Sequence, residues 1–442
     1  MMRRLITFLA ACIPAAALAA EPAPLPSYTL DECLAIGLEQ ATRIVNARRD
    51  ERIAGAQVRQ TKAQIYPQLD TDAAYTRKDE VTSFQMGDQT LEMGQLDNYS
   101  ASASLSQVLY SGGKVAAAIR AARRATEYAA QGTDQARRAL IRDIRLAFYN
   151  ILLAQANVEV AAESVKQLEE LAAQTEQKFR SGTASEFDLL SAQVRVANER
   201  PKLVRARDAL AVSKESFRDL IYLEAPDFEL RGELAYEPME ADLGALQEQG
   251  LATRPDVRQM ETYLRLLGED IKSARGDYYP EIKAVAAYSG TDPDQSGFGA
   301  TGWGWHWTAG LTAHWSIMDG GLRSGVLLEK NLTLLKERSN YEDLKRGVRL
   351  EVKQAYLDMI AAREVLGGAD EGVALAEKAL EIARTRFEQG LSTYLEFTDA
   401  NLALNTARLT RLTALKAHLG AVTSLRYACG ATEDFEPKEP MP

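Results

Sequence analysis

The sequence predicts a mixed α/β membrane protein, with long amphipathic strands followed by very long helices and the whole plan written twice. Three observations predict it. Residues 303–317, "WGWHWTAGLTAHWSI", alternate without a break: Trp303, Trp305, Trp307, Ala309, Leu311, Ala313, Trp315 and Ile317 are apolar, and the residues between them are small or polar. That period belongs to a β-strand, whose successive side chains point to opposite faces. Next, "YSGGKVAAAIRAA" (110–122) answers to "MDGGLRSGVLLEK" (318–330), and "KFRSGTASEFDLLSAQ" (178–193) to "RFEQGLSTYLEFTDAN" (386–401), both at a shift of 208. Finally, no proline occurs between Pro67 and Pro201 or between Pro293 and Pro437. The stretch from Gly113 to Arg180 is therefore free to be one helix, about 100 Å long at about 1.5 Å per residue.

The chain of 442 residues opens on "MMRR", a basic start, and the apolar "LITFLAACIPAAALAA", with Ala17-Leu18-Ala19 fitting a small-residue cleavage site. Residues 1–19 read as a signal peptide. "LAAC" (9–12) also fits a lipoprotein cleavage box with Cys12 as the acylated residue. That reading leaves an apolar core of only about seven residues, so simple cleavage is preferred. Without Arg3 and Arg4, 50 basic side chains face 62 acidic ones, a net charge of −12. Such a surface argues against nucleic acid as a partner. No later run of 18 apolar residues exists, which excludes transmembrane helices. Cys33 and Cys429 remain, one near each end. In an oxidising compartment they form a disulfide or stand as two separate buried thiols, and the sequence leaves both open.

The first repeat spans 20–220 and the second 241–430, joined by a linker at 221–240. Each opens with a helix, at about 29–65 and 241–278. Both helices end at a Tyr-Pro, because a residue before proline is pushed out of the α region. A strand pair follows in each, at about 68–109 and 281–317. In "NYSASASLSQVL" (98–109), Tyr99, Ala101, Ala103, Leu105 and Leu109 share one face and four serines the other. Polar loops, acidic at 79–97 and Gly-rich at 290–302, connect the strands. Long helices come next, at 111–180 and 320–388, then return helices at 184–220 and 392–428. Ile144, Phe148, Ile151, Gln155, Val158, Ala162 and Val165 alternate spacings of four and three, a coiled-coil seam. The tail at 431–442 is disordered by composition.

From Trp305 to Trp315 is ten steps of about 3.3 Å. Tilted by about 40°, they rise roughly 25 Å, the height of the apolar band on an outer-membrane barrel with aromatic girdles. Trp303, Trp305, Trp307 and Trp315 read as that girdle, with outer-membrane lipid on one face and a polar lumen on the other. Four strands cannot close a barrel, and lipid does not tolerate an open sheet edge, so several copies must pool their strands.

These features together resemble the TolC-like outer-membrane efflux protein family: the signal peptide, the duplicated plan, the Tyr-Pro before each strand pair, the Gly-Gly opening each long helix and the paired tips. The resemblance covers nearly all of the mature chain. It implies a homotrimer whose twelve-stranded barrel, four strands per protomer, continues into an α-helical coiled-coil barrel across the periplasm. It implies docking to a periplasmic adaptor coupled to an inner-membrane pump. The docking tips match Gly182, Thr183 and Ala184, and Gly390, Leu391 and Ser392. The periplasmic aperture matches Asp188, Glu396 and Asp399. In well-studied members an arginine and a tyrosine hold the acid matching Asp188; those positions here are Ser392 and Phe387, which puts that closing bridge in doubt. Repeated carboxylates around a threefold axis make a cation-attracting constriction. Solvated acids beside a turn are the plainer reading of Glu396 and Asp399.

No nucleotide loop, metal-ligand cluster or nucleophile constellation stands in the sequence, so neither enzyme activity nor a cofactor or metal is expected. His306 and His314 share the polar face of one strand; they could pair on a metal, but read as lumen-facing polar residues. His418 reads as solvated or locally bonded. The expected function is the exit duct of a tripartite efflux system for small molecules such as drugs, toxic compounds or metals. The alternatives are the outer-membrane channel of a type I protein secretion system and, more remotely, a structural coiled-coil spacer of the periplasm.

Overall fold

The computed structural model describes residues 25–431, apart from 87–88, 94, 241, 295–301 and 390. The predicted signal peptide, Cys12, Gly390, part of the Gly-rich loop and the tail from 432 lie outside the described residues. The first copy runs β1 (Ser27–Tyr28), α1 (Leu30–Gln40), α2 (Thr42–Ala63), β2 (Gln68–Arg77), β3 (Thr82–Met86), β4 (Gln89–Met93), β5 (Asp97–Tyr110), α3 (Lys114–Arg180) and α4 (Glu186–Ile221). Then come β6 (Glu229–Leu230), α5 (Leu243–Thr253), α6 (Pro255–Gly276), β7 (Glu281–Asp292), β8 (Gly304–His314), α7 (Leu322–Glu388) and α8 (Tyr394–Ala428).

The long helices form as expected: α3 and α7 each have 67 residues. Each starts from a left-handed glycine, Gly113 at φ 84° and Gly321 at φ 95°. On the predicted seam, Ile144, Phe148, Ile151 and Val165 are buried. The helices preceding the strands are broken, contrary to expectation, and at equivalent places. Ala41 (ψ 124°) separates α1 from α2, and Arg254 (ψ 131°) separates α5 from α6. Pro255 forces the second break by pushing Arg254 out of the α region. Ala41 has no following proline, and nothing local in the sequence explains its break.

β2, β5, β7 and β8 form one antiparallel sheet in that order. The registers sort the side chains into rows, and the rows sort into faces. Asp72, Ser102, Ser289 and His306 form one row; Ala73, Ala101, Gly290 and Trp305 form the next, on the opposite face. One strand boundary and one register differ from expectation. The alternation in sequence runs on to Ile317, yet the ladder ends at His314; the β5–β7 ladder shifts between Val108 and Tyr110, leaving Leu109 out of step. The acidic segment expected as a loop also carries a hairpin, β3 paired with β4. Its signal was present: two five-residue runs separated by Gly87-Asp88, a two-residue hairpin pattern.

Apolar packing concentrates midway along the long helices. One cluster joins Leu34, Ile141, Ile144, Ile151, Phe217, Ile221 and Phe228. There β1 pairs in parallel with β6, drawing the 221–240 linker onto the helices. A second cluster joins α5, α6, α7 and the end of α8. Arg254 seals it: its guanidinium donates to Asp256 (3.0 and 2.8 Å), Glu351 (2.7 Å) and the Ala428 carbonyl (3.2 Å). Arg138, from the other copy, donates to the Gly430 carbonyl at 2.9 Å. Two buried arginines thus hold the C-terminal end of α8, where free carbonyls favour cations.

Cys33 and Cys429 are free thiols, one in each cluster, so the disulfide alternative is corrected in favour of separate buried cysteines. Burial pushes the Cys33 thiol up to about 12. His418 is fully buried rather than solvated; its Nε2 lies 3.0 Å from the Glu237 carbonyl oxygen and its ring stacks on Tyr236.

Candidate functional site

The two helical hairpins, α3–α4 and α7–α8, end in turns built by the same hydrogen bonds. At the first tip the Thr183 amide donates to the Lys178 carbonyl at 2.8 Å; 208 residues on, the Leu391 amide donates to the Arg386 carbonyl at 2.8 Å. The Asp188 amide donates to Ser185 Oγ at 3.2 Å, and the Glu396 amide to Thr393 Oγ1 at 3.3 Å. Each return helix is therefore capped by an equivalent N-cap hydroxyl, Ser185 and Thr393, and α4 adds the reciprocal bond from the Ser185 amide to the Asp188 carboxylate. Gly182 turns the first tip at φ 75°, a left-handed conformation that side chains resist. Ala184 closes that turn by donating to Lys178 at 3.2 Å.

Two of the three acids matched to an aperture thus have local work. Asp188 accepts from the Ser185 hydroxyl (2.6 Å) and amide (3.1 Å), which hold its carboxyl below the ordinary carboxylate range. Glu396 accepts from Ser392 Oγ at 2.8 Å. A carboxylate in the first helical turn is also favoured by the helix dipole. "SEFD" (185–188) and "TYLE" (393–396) carry the cap pattern in sequence, and reading them as caps would have found this.

Asp399 sits one turn further along α8. It reaches across to the other hairpin, 3.8 Å from Arg195 of α4. The same Arg195 Nη1 donates to the buried Thr398 hydroxyl at 3.0 Å. Two more links join the hairpins near the tips. Asn401 donates to Gln167 at 2.6 Å, and the Lys178 ammonium lies 5.0 Å from the centroid of the Phe387 ring. Phe387 in turn stacks on Phe397 at 5.5 Å. The positions where the resemblance would put a tyrosine and an arginine are therefore occupied differently. Phe387 receives a cation on its face, Ser392 braces Glu396, and Arg195 brings a guanidinium from the other hairpin. No sequence motif marks Arg195, Gln167 or Asn401, because each acts through a neighbour about 200 residues away. Beside Asp399 a groove of about 650 Å³ runs between α7 and α8, floored by Gly368, Ala369, Gly372, Ala403 and Ala407.

At the far end of the helices, the sheet's apolar face carries aromatics at two levels. Trp303 stacks on Trp305 (5.4 Å) and Trp305 on Tyr288 (5.1 Å) at one end of β8. Trp315 stands at the other end, its indole N–H donating to the Tyr278 carbonyl at 3.1 Å. Trp307 is 75% exposed and Leu311 71%, so this face has no covering within the chain. Around the strand bases, Lys114 pairs with Asp277 (2.6 Å) and Arg323 with Asp319 (2.6 Å). Among the described residues no three or more of His, Cys, Asp and Glu gather as a metal site, and no helix is long and apolar enough to cross a membrane.

A profile of the family described as outer membrane efflux protein matches residues 36–221 and 246–431, one segment on each copy. The chain is 23% identical over 287 residues to the cation efflux system protein CusC of Escherichia coli O6:H1, covering 63% of this chain and 62% of that relative. Against the toluene efflux pump outer membrane protein TtgC of Pseudomonas putida the identity is 26% over 415 residues, 88% of this chain and 81% of TtgC. The chain thus spans less than two thirds of CusC by sequence and most of TtgC. By fold it resembles the crystal structure of CusC with a TM-score of 0.74 at 20% identity, covering 91% of this chain and 92% of that one. The open state of the Neisseria gonorrhoeae MtrE outer membrane channel gives a TM-score of 0.75 at 19% identity, covering 91% and 88%.

Proposed function

This chain belongs to the outer membrane efflux protein family, an outer-membrane protein extending into the periplasm, and we infer that it is the exit duct of a tripartite efflux system. One observation carries the reading: the four-strand register puts an aromatic and apolar surface on one side and Asp, Ser, Thr and His side chains on the other. A sheet built this way separates lipid from water. Its unpaired edges, β2 and β8, call for further copies, and three would give twelve strands. Below the strands, helices of 67 residues extend about 100 Å, a length suited to a periplasmic tunnel.

In this reading small molecules enter at the hairpin tips and leave through the sheet lumen. The tips would meet a periplasmic adaptor, itself joined to an inner-membrane pump that supplies the energy. Phe187 is 76% exposed and Leu391 66%, apolar side chains at the two turns of the kind that mark a docking surface. Glu396 and Asp399 would set the aperture, where carboxylates repeated by symmetry favour cations.

Conductance of the purified protein in planar bilayers tests this, with and without the double change Glu396→Ala and Asp399→Ala. Discrete small channels that widen and lose cation preference in the variant support both duct and aperture. Unchanged conductance in the variant moves the constriction elsewhere. Silence from a verified, folded and inserted protein favours a structural spacer.

A further inference from the structure

On the polar face of the edge strands, three titratable side chains have no bonded partner inside the chain. Asp70 and Asp72 lie on the polar face of β2, and His314 on the polar face of β8. Among the described residues none of the three makes a hydrogen bond or ion pair within the chain. His306, on the same face of β8, contrasts with them: its Nε2 lies 2.9 Å from Ser289 Oγ.

We propose that His314 meets Asp70 of the next copy, so that an imidazole–carboxylate contact fastens the seam between neighbouring protomers. The proposal rests on the closed trimeric barrel inferred above. Within one chain each strand is antiparallel to the next along the order β2-β5-β7-β8, so β8 is antiparallel to the β2 that follows it in a ring. The seam therefore continues the antiparallel sheet.

The register follows from closure. Four strand-to-strand steps of about 4.8 Å, in strands tilted by about 35–45°, displace the next β2 by about 13–19 Å, or about four to six residues. Only an even offset keeps polar faces together. Within the chain one row runs from Gln68 through Ser106 and Val285 to Gly310. An offset of about four then sets Gly310 beside the next copy's Asp72 and His314 beside its Gln68, with Asp70 diagonal to His314. An offset of about six sets His314 directly opposite Asp70. The reverse displacement would carry most of β8 past the start of β2 at Gln68 and leave its backbone unpaired in lipid. Either permitted register brings His314 to Asp70. Repeated by symmetry, the contact rings the periplasmic base of the barrel, where Glu281 and Lys283 also line the polar face.

Two experiments on the full chain test the seam. In oxidative cross-linking, His314→Cys combined with Gln68→Cys or with Asp70→Cys should give covalent dimers and trimers on non-reducing gels, and the single variants should not. Cross-links to Thr76→Cys instead, or none in a protein that native mass measurement finds trimeric, overturn the register. A monomeric mass means that the closed-barrel reading itself has failed. In the second experiment His314→Asp should lower the dissociation temperature of the detergent-solubilised trimer by several degrees, and adding Asp70→His should restore at least half of the loss. No drop with His314→Asp, or a further drop in the double variant, removes the pairing of imidazole with carboxylate.

Discussion

Replacing Arg195 with alanine should open the tips. Its guanidinium joins the two hairpins through the Thr398 hydroxyl at 3.0 Å and Asp399 at 3.8 Å. The ion pair is weak, because its side chains are 32% and 61% exposed and water screens them; it contributes under about 0.5 kcal/mol. The hydrogen bond to the buried Thr398 is charge-assisted, and with its half-buried donor still reached by water it adds about 0.5–1 kcal/mol. About 1 kcal/mol per protomer moves a single tip only about fivefold. If three tips open together, about 3 kcal/mol moves the open-to-closed ratio roughly 150-fold. Single-channel recording in planar bilayers reads this directly, as open probability and mean conductance. Arg195→Lys keeps the charge and one donor and should fall between wild type and Arg195→Ala. If Arg195→Ala forms trimers yet gates and conducts like wild type, the Arg195 links do not hold the tips closed. A gain of only about fivefold would mean that the tips open independently.

Three other outcomes are expected. Arg254→Met leaves Asp256 and the Ala428 carbonyl without their buried partner, and should cost about 3 kcal/mol, somewhat less than a fully enclosed ion pair because Glu351 is half exposed; the midpoint of chemical unfolding in detergent reads it, against a surface arginine such as Arg346→Met as control. The cap at Asp188 carries a definite pH sign. Its folded pKa lies below the unfolded value, so its contribution is intact above the unfolded value and is lost as pH falls through the folded one. Hydrogen exchange at the 188–190 amides should therefore accelerate, relative to the mid-helix, only in that acidic window, and Asp188→Asn should abolish the effect. Cys33 and Cys429 should resist thiol reagents at pH 8 while folded, since burial raises both thiols, and both should label on unfolding without reductant; failure to label after unfolding would mean that the two are bridged.

The sequence revealed what depends on period and repetition, and concealed what depends on distance. Alternation placed the strands of the sheet and the missing prolines placed the two 67-residue helices, because both signals are local and long. The 208-residue shift went further than element order: it carried over single hydrogen bonds, from Thr183 and Lys178 to Leu391 and Arg386. The break at Arg254 was legible in Pro255, whereas its counterpart at Ala41 lacks a proline. The three acids matched to an aperture were the least legible residues. Asp188 proved to be a cap residue, a role that any helix start can ask of an acid, Glu396 is braced by Ser392 within its own turn, and Asp399 found its partner on the other hairpin.

That division has a functional consequence. The N-caps are duplicated and local, so they stabilise each tip whether the hairpins lie together or apart. The links between hairpins are not duplicated: Arg195 to Asp399, Gln167 to Asn401 and Lys178 to Phe387 each join first copy to second. Only contacts of this kind differ in strength between a state with the hairpins together and one with them apart, and only such a difference can bias the balance between the two. Control of the tips should therefore lie in these links between the copies, of which Arg195, Asp399 and Gln167 stand where the other copy has Ala403, Ser191 and Leu375, while the shared caps keep the turns intact.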